Sequence, residues 1–314
     1  MITLSDITAA ASRIAPFVRT TPVMEVAATR EPLPFDAGIT LKLELFQVTG
    51  SFKARGAMNR YLGGEGIDAQ TGIVTASGGN HGLAVARTAH AAGTKATVFV
   101  PRNVNPEKID RMRGWQADVH IVGDEWNVSN EAALAFAAKT GASYFHPFAD
   151  PLVVAGQGTL GLEILEQIPD LETIVVAIGG GGLISGLATA LKTLKPALKI
   201  IGVEPEGSPT LAACIKAGCK VRLEAVTSRV ATMSCRETDE RIFQIVQRHV
   251  DEIVLVSDDD MLAASRWLWS EFAIAADLSG AASIAALRRW APRFTGSRKI
   301  CALICGAGSD GIGR

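Results

Sequence analysis

The sequence carries no excess of either charge, few cysteines and no long apolar run. Lysine plus arginine (31) almost balances aspartate plus glutamate (32), leaving a net charge of −1. No Lys/Arg-rich stripe interrupts that balance, so a nucleic-acid-binding surface is not expected. No apolar stretch is long enough to span a bilayer. The opening segment, MITLSDITAAASRIAPFVRT, is interrupted by Asp6 and Arg13 and does not read as a signal peptide. The five cysteines (Cys214, Cys219, Cys235, Cys301 and Cys305) are too few, and odd in number, for a disulfide framework. They suit a reducing compartment, and a cytoplasmic protein is expected. Cys214 and Cys219 lack a second pair at zinc-finger spacing. Tandem repeats and low-complexity tracts are also missing.

What remains is an ordinary globular composition, 48% hydrophobic over 314 residues. That is enough chain for one large or two modest domains. Short apolar segments predict strands at Gly72–Ala76, Ala96–Val100, Asp118–Val122, Ser143–His146, Thr173–Ile178, Lys199–Val203, Glu252–Val256 and Lys299–Cys305, and Leu41–Leu45 alternates like a strand. Between them, Ala- and Leu-rich stretches predict helices at Gly82–Ala92, Pro106–Trp115, Asn127–Lys139, Gly156–Gln167, Leu183–Leu194, Asp259–Ala275 and Ala281–Trp290. Alternation of this kind means βαβ units and mostly parallel sheets. The units fall into two clusters around His146–Pro151, which predicts an α/β protein with two open twisted domains. Ser257 stands three residues before Asp260, the spacing of a capping box. Capping explains the run Ser257-Asp258-Asp259-Asp260 more simply than a metal cluster does.

Three loops carry candidate chemistry, since ligands bind at the carboxyl ends of strands in open α/β sheets. Gly179–Gly186 reads GGGGLISG. Glycines between a strand and a helix let backbone N–H groups crowd around an anion, and phosphate is the natural guess. The dinucleotide pattern G-x-G-x-x-G fails, ending on Ile184 or Ser185, although Glu204 stands where a ribose-binding acid would. The Gly-Lys-Ser/Thr of a nucleotide-triphosphate loop is absent. Ser77–Gly82 reads SGGNHG and offers hydroxyl, amide and imidazole groups at a helix start, suited to a carboxylate or a phenolic oxygen. Thr49–Ala57 reads TGSFKARGA and places Lys53 just past a strand. Either this lysine is solvated in a first helical turn, or it does chemistry. Lysine forms imines with aldehydes, and the aldehyde cofactor that also carries a phosphate is pyridoxal 5′-phosphate.

The ordered segments ELFQVTGSFKARGA, TASGGNHG, HPFADPLVVAGQGT, GGGGLISG and GVEP, from Arg19-Thr20-Thr21-Pro22 to ICGAGSDG, resemble the fold type II pyridoxal-phosphate enzymes. The branch they most resemble is that of threonine/serine dehydratases and serine racemases. The resemblance implies a tryptophan synthase β-like fold. Residues 1–45 plus 151–314 would form the large cofactor-binding domain and 46–150 the small one, with the active site in the cleft between. It implies that Lys53 holds the cofactor and then moves the Cα proton. Phe52 packs beside the ring, Asn80 binds the phenolic oxygen, and Gly179, Gly180, Gly181, Gly182 and Leu183 bind the phosphate. Cys305 faces the ring nitrogen. Its bland reading is a core strand cysteine. Ser77, Gly78, Asn80 and His81 surround the substrate carboxylate. A homodimer is implied as well.

Departures from the family pattern refine the expectation. Gly78 replaces the second serine of racemases, and Phe148 stands where racemases have Asn. Both favour elimination. Relatives bind a divalent cation through a glutamate and an acidic residue six positions on. Here the glutamate is matched by Glu204 but the second position is Thr210, so the oxygen cluster is incomplete: Glu204 is the one candidate ligand for a divalent cation, which is not expected. Glu204 then reads as a helix-terminus or interface residue. Asp277 and Leu278 replace the family's Glu-Pro. Ala231-Thr232-Met233 replaces Ala-Asp-Gly, which would set a methionine against the cofactor. No appended regulatory domain is expected. The expected activity is a pyridoxal-phosphate-dependent ammonia-lyase (dehydratase) acting on a small β-hydroxy amino acid such as threonine or serine. A racemase, a β-replacement synthase and a non-catalytic cofactor-binding protein are the alternatives.

Overall fold

The computed structural model describes residues 1–35 and 37–312; the final two positions of the 151–314 segment lie outside it. Ten strands are present among the described residues: β1 (Val23–Glu25), β2 (Gly38–Lys42), β3 (Ile73–Ala76), β4 (Ala96–Val100), β5 (Asp118–Ile121), β6 (Ser143–Tyr144), β7 (Thr173–Ala177), β8 (Lys199–Pro205), β9 (Glu252–Val256) and β10 (Lys299–Leu303). The α-helices are α1 (Leu4–Ile14), α2 (Lys53–Gly63), α3 (Asn80–Ala92), α4 (Pro106–Gly114), α5 (Trp126–Thr140), α6 (Pro151–Gln167), α7 (Gly182–Leu194), α8 (Thr210–Ala217), α9 (Glu240–His249), α10 (Asp258–Phe272) and α11 (Leu278–Arg289).

The strands form two sheets. One has the order β1-β2-β10-β7-β8-β9, parallel except for β1. The other is β5-β4-β3-β6, all parallel. Residues of β3, β4 and β7 are buried without alternation, as expected of parallel strands covered on both faces. Each sheet has its own apolar core.

Strand order reverses once in each sheet. In the smaller one the chain runs β3 to β4 to β5 and then returns to place β6 beside β3. In the larger one it runs β7 to β8 to β9 and returns to place β10 beside β7. Loops leaving strands at such switch points diverge and open a crevice. Four loops are thereby selected: 77–79, 145–150, 178–181 and 304–307.

Several predicted strands end earlier than the sequence suggested, β10 at Leu303 rather than Cys305, and β2 and β6 among them. β2 ends at Lys42, and Glu44–Phe46 forms a 3₁₀ turn instead. The reason is electrostatic. Lys42 and Glu44 are fully buried. Arg55 donates to both oxygens of Glu44 (2.6 and 3.0 Å) and to Glu163 (2.8 Å), while Lys42 Nζ donates to Glu163 (2.5 Å), the Gln167 side chain (2.7 Å) and the Thr21 carbonyl (2.7 Å). β6 ends at Tyr144 because His146 turns to cap the next loop: its Nδ1 accepts from the amides of Phe148 (3.2 Å) and Ala149 (2.9 Å). The capping box at Ser257/Asp260 is formed as expected. A second one, Thr3/Asp6, opens α1, a helix the sequence reading did not identify; β1, α8 and α9 were also missed.

Helix α6 touches both halves of the future site. A β-carbon on Gly156 would lie 2.7 Å from Gly56 Cα and 2.8 Å from the Arg55 carbonyl of α2. One on Gly158 would lie 2.9 Å from the Gly186 carbonyl of α7. The helices therefore cross nearly backbone to backbone, and only glycine allows that approach. Gly156→Ala is expected to cost about 1–3 kcal/mol through overpacking and to weaken cofactor binding. Chemical denaturation and a pyridoxal-phosphate titration check this. Unchanged values in both would contradict it.

Candidate active site

Lys53 is the first residue of α2, and the chain before it is tied to the end of β10. Leu45 N donates to the Ile304 carbonyl (2.8 Å), Phe52 N to the Cys305 carbonyl (3.2 Å) and Ala307 N to the Gly50 carbonyl (2.8 Å). Ser51 and Gly306 form an antiparallel bridge. The 45–52 loop is thus locked in place, with Thr49 at φ 68° and Gly50 at φ 84° making the turn.

The Lys53 amine donates to the Pro147 carbonyl at 2.7 Å and lies 5.1 Å from the Phe52 ring centre. No carboxylate pairs with it among the described residues. Burial pulls its pKa down from 10.5 to about 8. Such an amine can be neutral near physiological pH, as a nucleophile or base must be.

Asn80 and His81 open α3. His81 Nε2 lies 3.1 Å from the Phe145 carbonyl, which can only accept, so Nε2 carries the hydrogen. Its Nδ1 is buried without a partner among the described residues. Burial and the nearby Lys53 amine push His81 down to about 3. His146 is pushed down to about 4, chiefly by burial and then by Lys53. Both imidazoles are neutral at physiological pH. Ser77 Oγ accepts from Gly79 N at 3.3 Å. Gly78 contributes only backbone to this loop.

Asn80 Nδ2 donates to Asp277 Oδ2 at 2.9 Å. Asp277 is the N-cap of α11, where Oδ1 accepts from Gly280 N (2.6 Å) and Ser279 Oγ (2.7 Å). An acceptor-only carboxylate fixes the NH₂ end of the Asn80 amide toward it, and one N–H remains for a ligand. Sequence reading did not anticipate this link, because Asn80 and Asp277 belong to different sheets. Cys305 donates to the Ser279 carbonyl at 3.5 Å. Burial, then the Asp277 charge, push its thiol far up, so it stays a neutral S–H. Cys235, which the sequence reading left unassigned, is near enough to Lys53 to feel its charge; burial holds it at about 11.

The glycine quartet runs into α7, with Gly181 at φ 91° as its N-cap. Side chains would collide at Gly180 with Phe148 (2.3 Å) and at Gly181 with Ile242 (2.5 Å), and would be tight at 3.0 Å at Gly182 against Phe148 and at Gly179 against the Thr232 carbonyl. The Thr238 hydroxyl donates to the Gly180 carbonyl at 3.0 Å. Amides in the first turn of α7, Leu183 among them, have no partner within the helix and are free for an anion. Met233 is buried in the large core with its backbone against Gly179, and it is Thr232 that turns a methyl toward Gly79.

Glu204 is not part of this group. It lies at the end of β8 and caps α8, accepting from Leu211 N and Ala212 N at 2.8 Å each. Burial pushes it up to about 8 against those donors. The Thr210 hydroxyl donates to the Cys235 carbonyl. Among the described residues, no cluster of three or more His, Cys, Asp or Glu side chains could hold a metal.

The donor set fits pyridoxal phosphate. A collision-bound glycine cradle lies at a helix N-terminus, a desolvated amine has only a carbonyl partner, and a neutral thiol and a half-committed amide lie nearby. The sequence profile of the family described as pyridoxal-phosphate dependent enzyme matches residues 14–306. An L-threonine ammonia-lyase of Thermotoga maritima is 38% identical over 91% of this chain and 71% of its own. Among solved structures, a threonine deaminase from T.th. superposes with a TM-score of 0.89 at 36% identity, covering 98% of both chains. Maize serine racemase reaches the same TM-score at 29% identity, covering 98% of this chain and 93% of its own. Resemblance of fold therefore does not separate the two reactions, but it leaves the family in no doubt. The chain belongs to the pyridoxal-phosphate-dependent enzymes.

Proposed function

We propose that this enzyme is an ammonia-lyase that converts L-threonine or L-serine into a 2-oxo acid and ammonia by α,β-elimination. The observation that carries this reading is the Lys53 amine. It is desolvated, donates to the Pro147 carbonyl in one of the switch-point loops and has no carboxylate partner among the described residues. When bound, the cofactor supplies an aldehyde carbon for amines and a ring that accepts electrons from Cα.

The chain's residues have separate tasks. Lys53 would hold the aldehyde carbon, Gly179–Leu183 the phosphate, Asn80 the phenolic oxygen and Phe52 one ring face. Cys305 would face the ring nitrogen. A protonated thiol does not hold a second proton there as a carboxylate would, which suits a brief carbanion and rapid loss of a β-substituent. Ser77 and the backbone N–H groups of Asn80 and His81 at the start of α3 would bind the substrate carboxylate. The Lys53 amine, neutral near physiological pH, would serve as the base for the Cα proton. The two histidines are neutral and already hydrogen-bonded, so they position rather than donate. The products are water and an enamine, which hydrolyses to the 2-oxo acid and ammonia. Gly78 places no acid on the loop that opens α3, which favours elimination over inversion.

The remaining readings are coarser. Segments 1–45 plus 151–314 and 46–150 act as two domains around the site. We read the protein as a homodimer of the cytoplasm, and its five free thiols are in keeping with a reducing compartment. No helix among the described residues is long and apolar enough to cross a membrane.

Two experiments test the function. Assays with L-threonine, L-serine and 3-hydroxyaspartate should yield 2-oxo acid and no D-isomer. Borohydride should remove the visible band and label Lys53, while Lys53→Ala should lose both band and turnover. Normal turnover in that variant would contradict the assignment. The pKa fixes a pH dependence: the amine is nucleophilic only when neutral. Stopped-flow attachment of pyridoxal phosphate to cofactor-free protein should quicken ~tenfold per pH unit and level off near 8. A rise continuing to 10.5, the value of an unperturbed lysine, would contradict it.

A further inference from the structure

The space beside Gly78 is already taken. A β-carbon built there would lie 2.1 Å from Val104 Cγ2, 3.0 Å from Cγ1 and 3.1 Å from Cβ. All three atoms belong to one side chain, so a single residue occupies the volume that a side chain at position 78 would need. Valine is β-branched with restricted χ1, and its Cβ, which no rotation moves, already lies at 3.1 Å, so it has no long flexible end to swing aside. Val104 itself is held: its amide donates to the Pro101 carbonyl at 3.3 Å, and its side chain packs against the core of the smaller sheet.

Gly78 lies two residues before Asn80, in the loop that faces the substrate. Inversion at Cα needs one group to remove a proton from one face and a second group to deliver a proton to the other. Lys53 supplies the first. Around Gly78, Ser77 Oγ accepts from Gly79 N, His81 is buried, neutral and bound to the Phe145 carbonyl, and the nearest side chain is an alkyl group.

We propose that Val104 is a specificity-determining residue: by filling the side-chain volume at position 78 it keeps a hydroxyl off this rim, confines proton transfer to Lys53 and directs the substrate to elimination. The proposal rests on the ammonia-lyase reading above. Positions 78 and 104 form a lock pair, in which a larger residue at one requires a smaller residue at the other.

The test compares Gly78→Ser, Val104→Ala and the double variant as holoproteins. Melting temperature is followed, together with D-serine formed from L-serine by chiral chromatography. Gly78→Ser alone should melt about 5 °C lower, the scale of an overpacked site. Adding Val104→Ala should recover at least half of that loss, the signature of coupled neighbours. The double variant should form D-serine at least ~10-fold above wild type, a conservative share of what a placed acid contributes. Gly78→Ser melting within about 1 °C of wild type, below the scale of any steric conflict, would overturn the proposal. So would a double variant that is folded and loaded yet forms no extra D-serine. Failure of the ammonia-lyase reading shows separately, as wild type yielding no 2-oxo acid. The thermal coupling of 78 with 104 does not depend on that result.

Discussion

The backbone crossings of α6 are the constraint on which the site depends. Gly156 meets Gly56 on α2, which begins with Lys53, and Gly158 meets Gly186 on α7, which begins with the last glycine of the quartet. One helix therefore spaces the Lys53 amine from the glycine quartet. The same elements are joined a second time by charge. Arg55 of α2 reaches Glu163 of α6 and Glu44 beyond β2, while Lys42 of β2 reaches Glu163 as well. Burial alone would pull the Arg55 guanidinium down, yet Glu44 and Glu163 hold it above its usual value. A buried network of this kind adds little net stability when complete but is costly to break. Its role here is geometric: α2, α6 and β2 have one way to satisfy their charges.

Within that frame the site is electrically simple. Burial leaves both nearby imidazoles neutral and keeps the Cys305 thiol protonated. Lys53 alone among these groups is brought close to physiological pH. The Asn80–Asp277 bond then links the start of α3, beside the smaller sheet, to the start of α11, beside the larger. Asp277, where the family pattern has glutamate, caps α11 and engages Asn80 with the same carboxylate.

Much of this was legible in the sequence because it is local. Strand–glycine–helix punctuation located the quartet, Ser77–Gly82 and Lys53, and the capping box at Ser257 was read directly. What escaped was non-local or used polar residues inside. Alternation at Leu41–Leu45 suggested a longer strand, but Lys42 and Glu44 are buried by partners 121 and 11 residues away. The helix α1 is short and Ala-rich, and its Thr3/Asp6 box was the missed signal. α9 was missed although Asp239 stands at its N-cap and apolar Ile242, Phe243, Ile245 and Val246 mark one face. Val104 offered no signal at all, because its meaning comes only from its contact with Gly78.

The central claim is that α6 holds the Lys53 amine and the glycine quartet at a fixed spacing suited to one phosphate-bearing aldehyde. The most direct measurement is a crystal structure of the borohydride-reduced holoprotein. The account predicts density continuous with Lys53 Nζ, a phosphate against Gly179–Leu183, and α2, α6 and α7 packed as they are here. Reduction at another lysine, or a phosphate bound only after the Gly56–Gly156 or Gly158–Gly186 crossing opens, would contradict it.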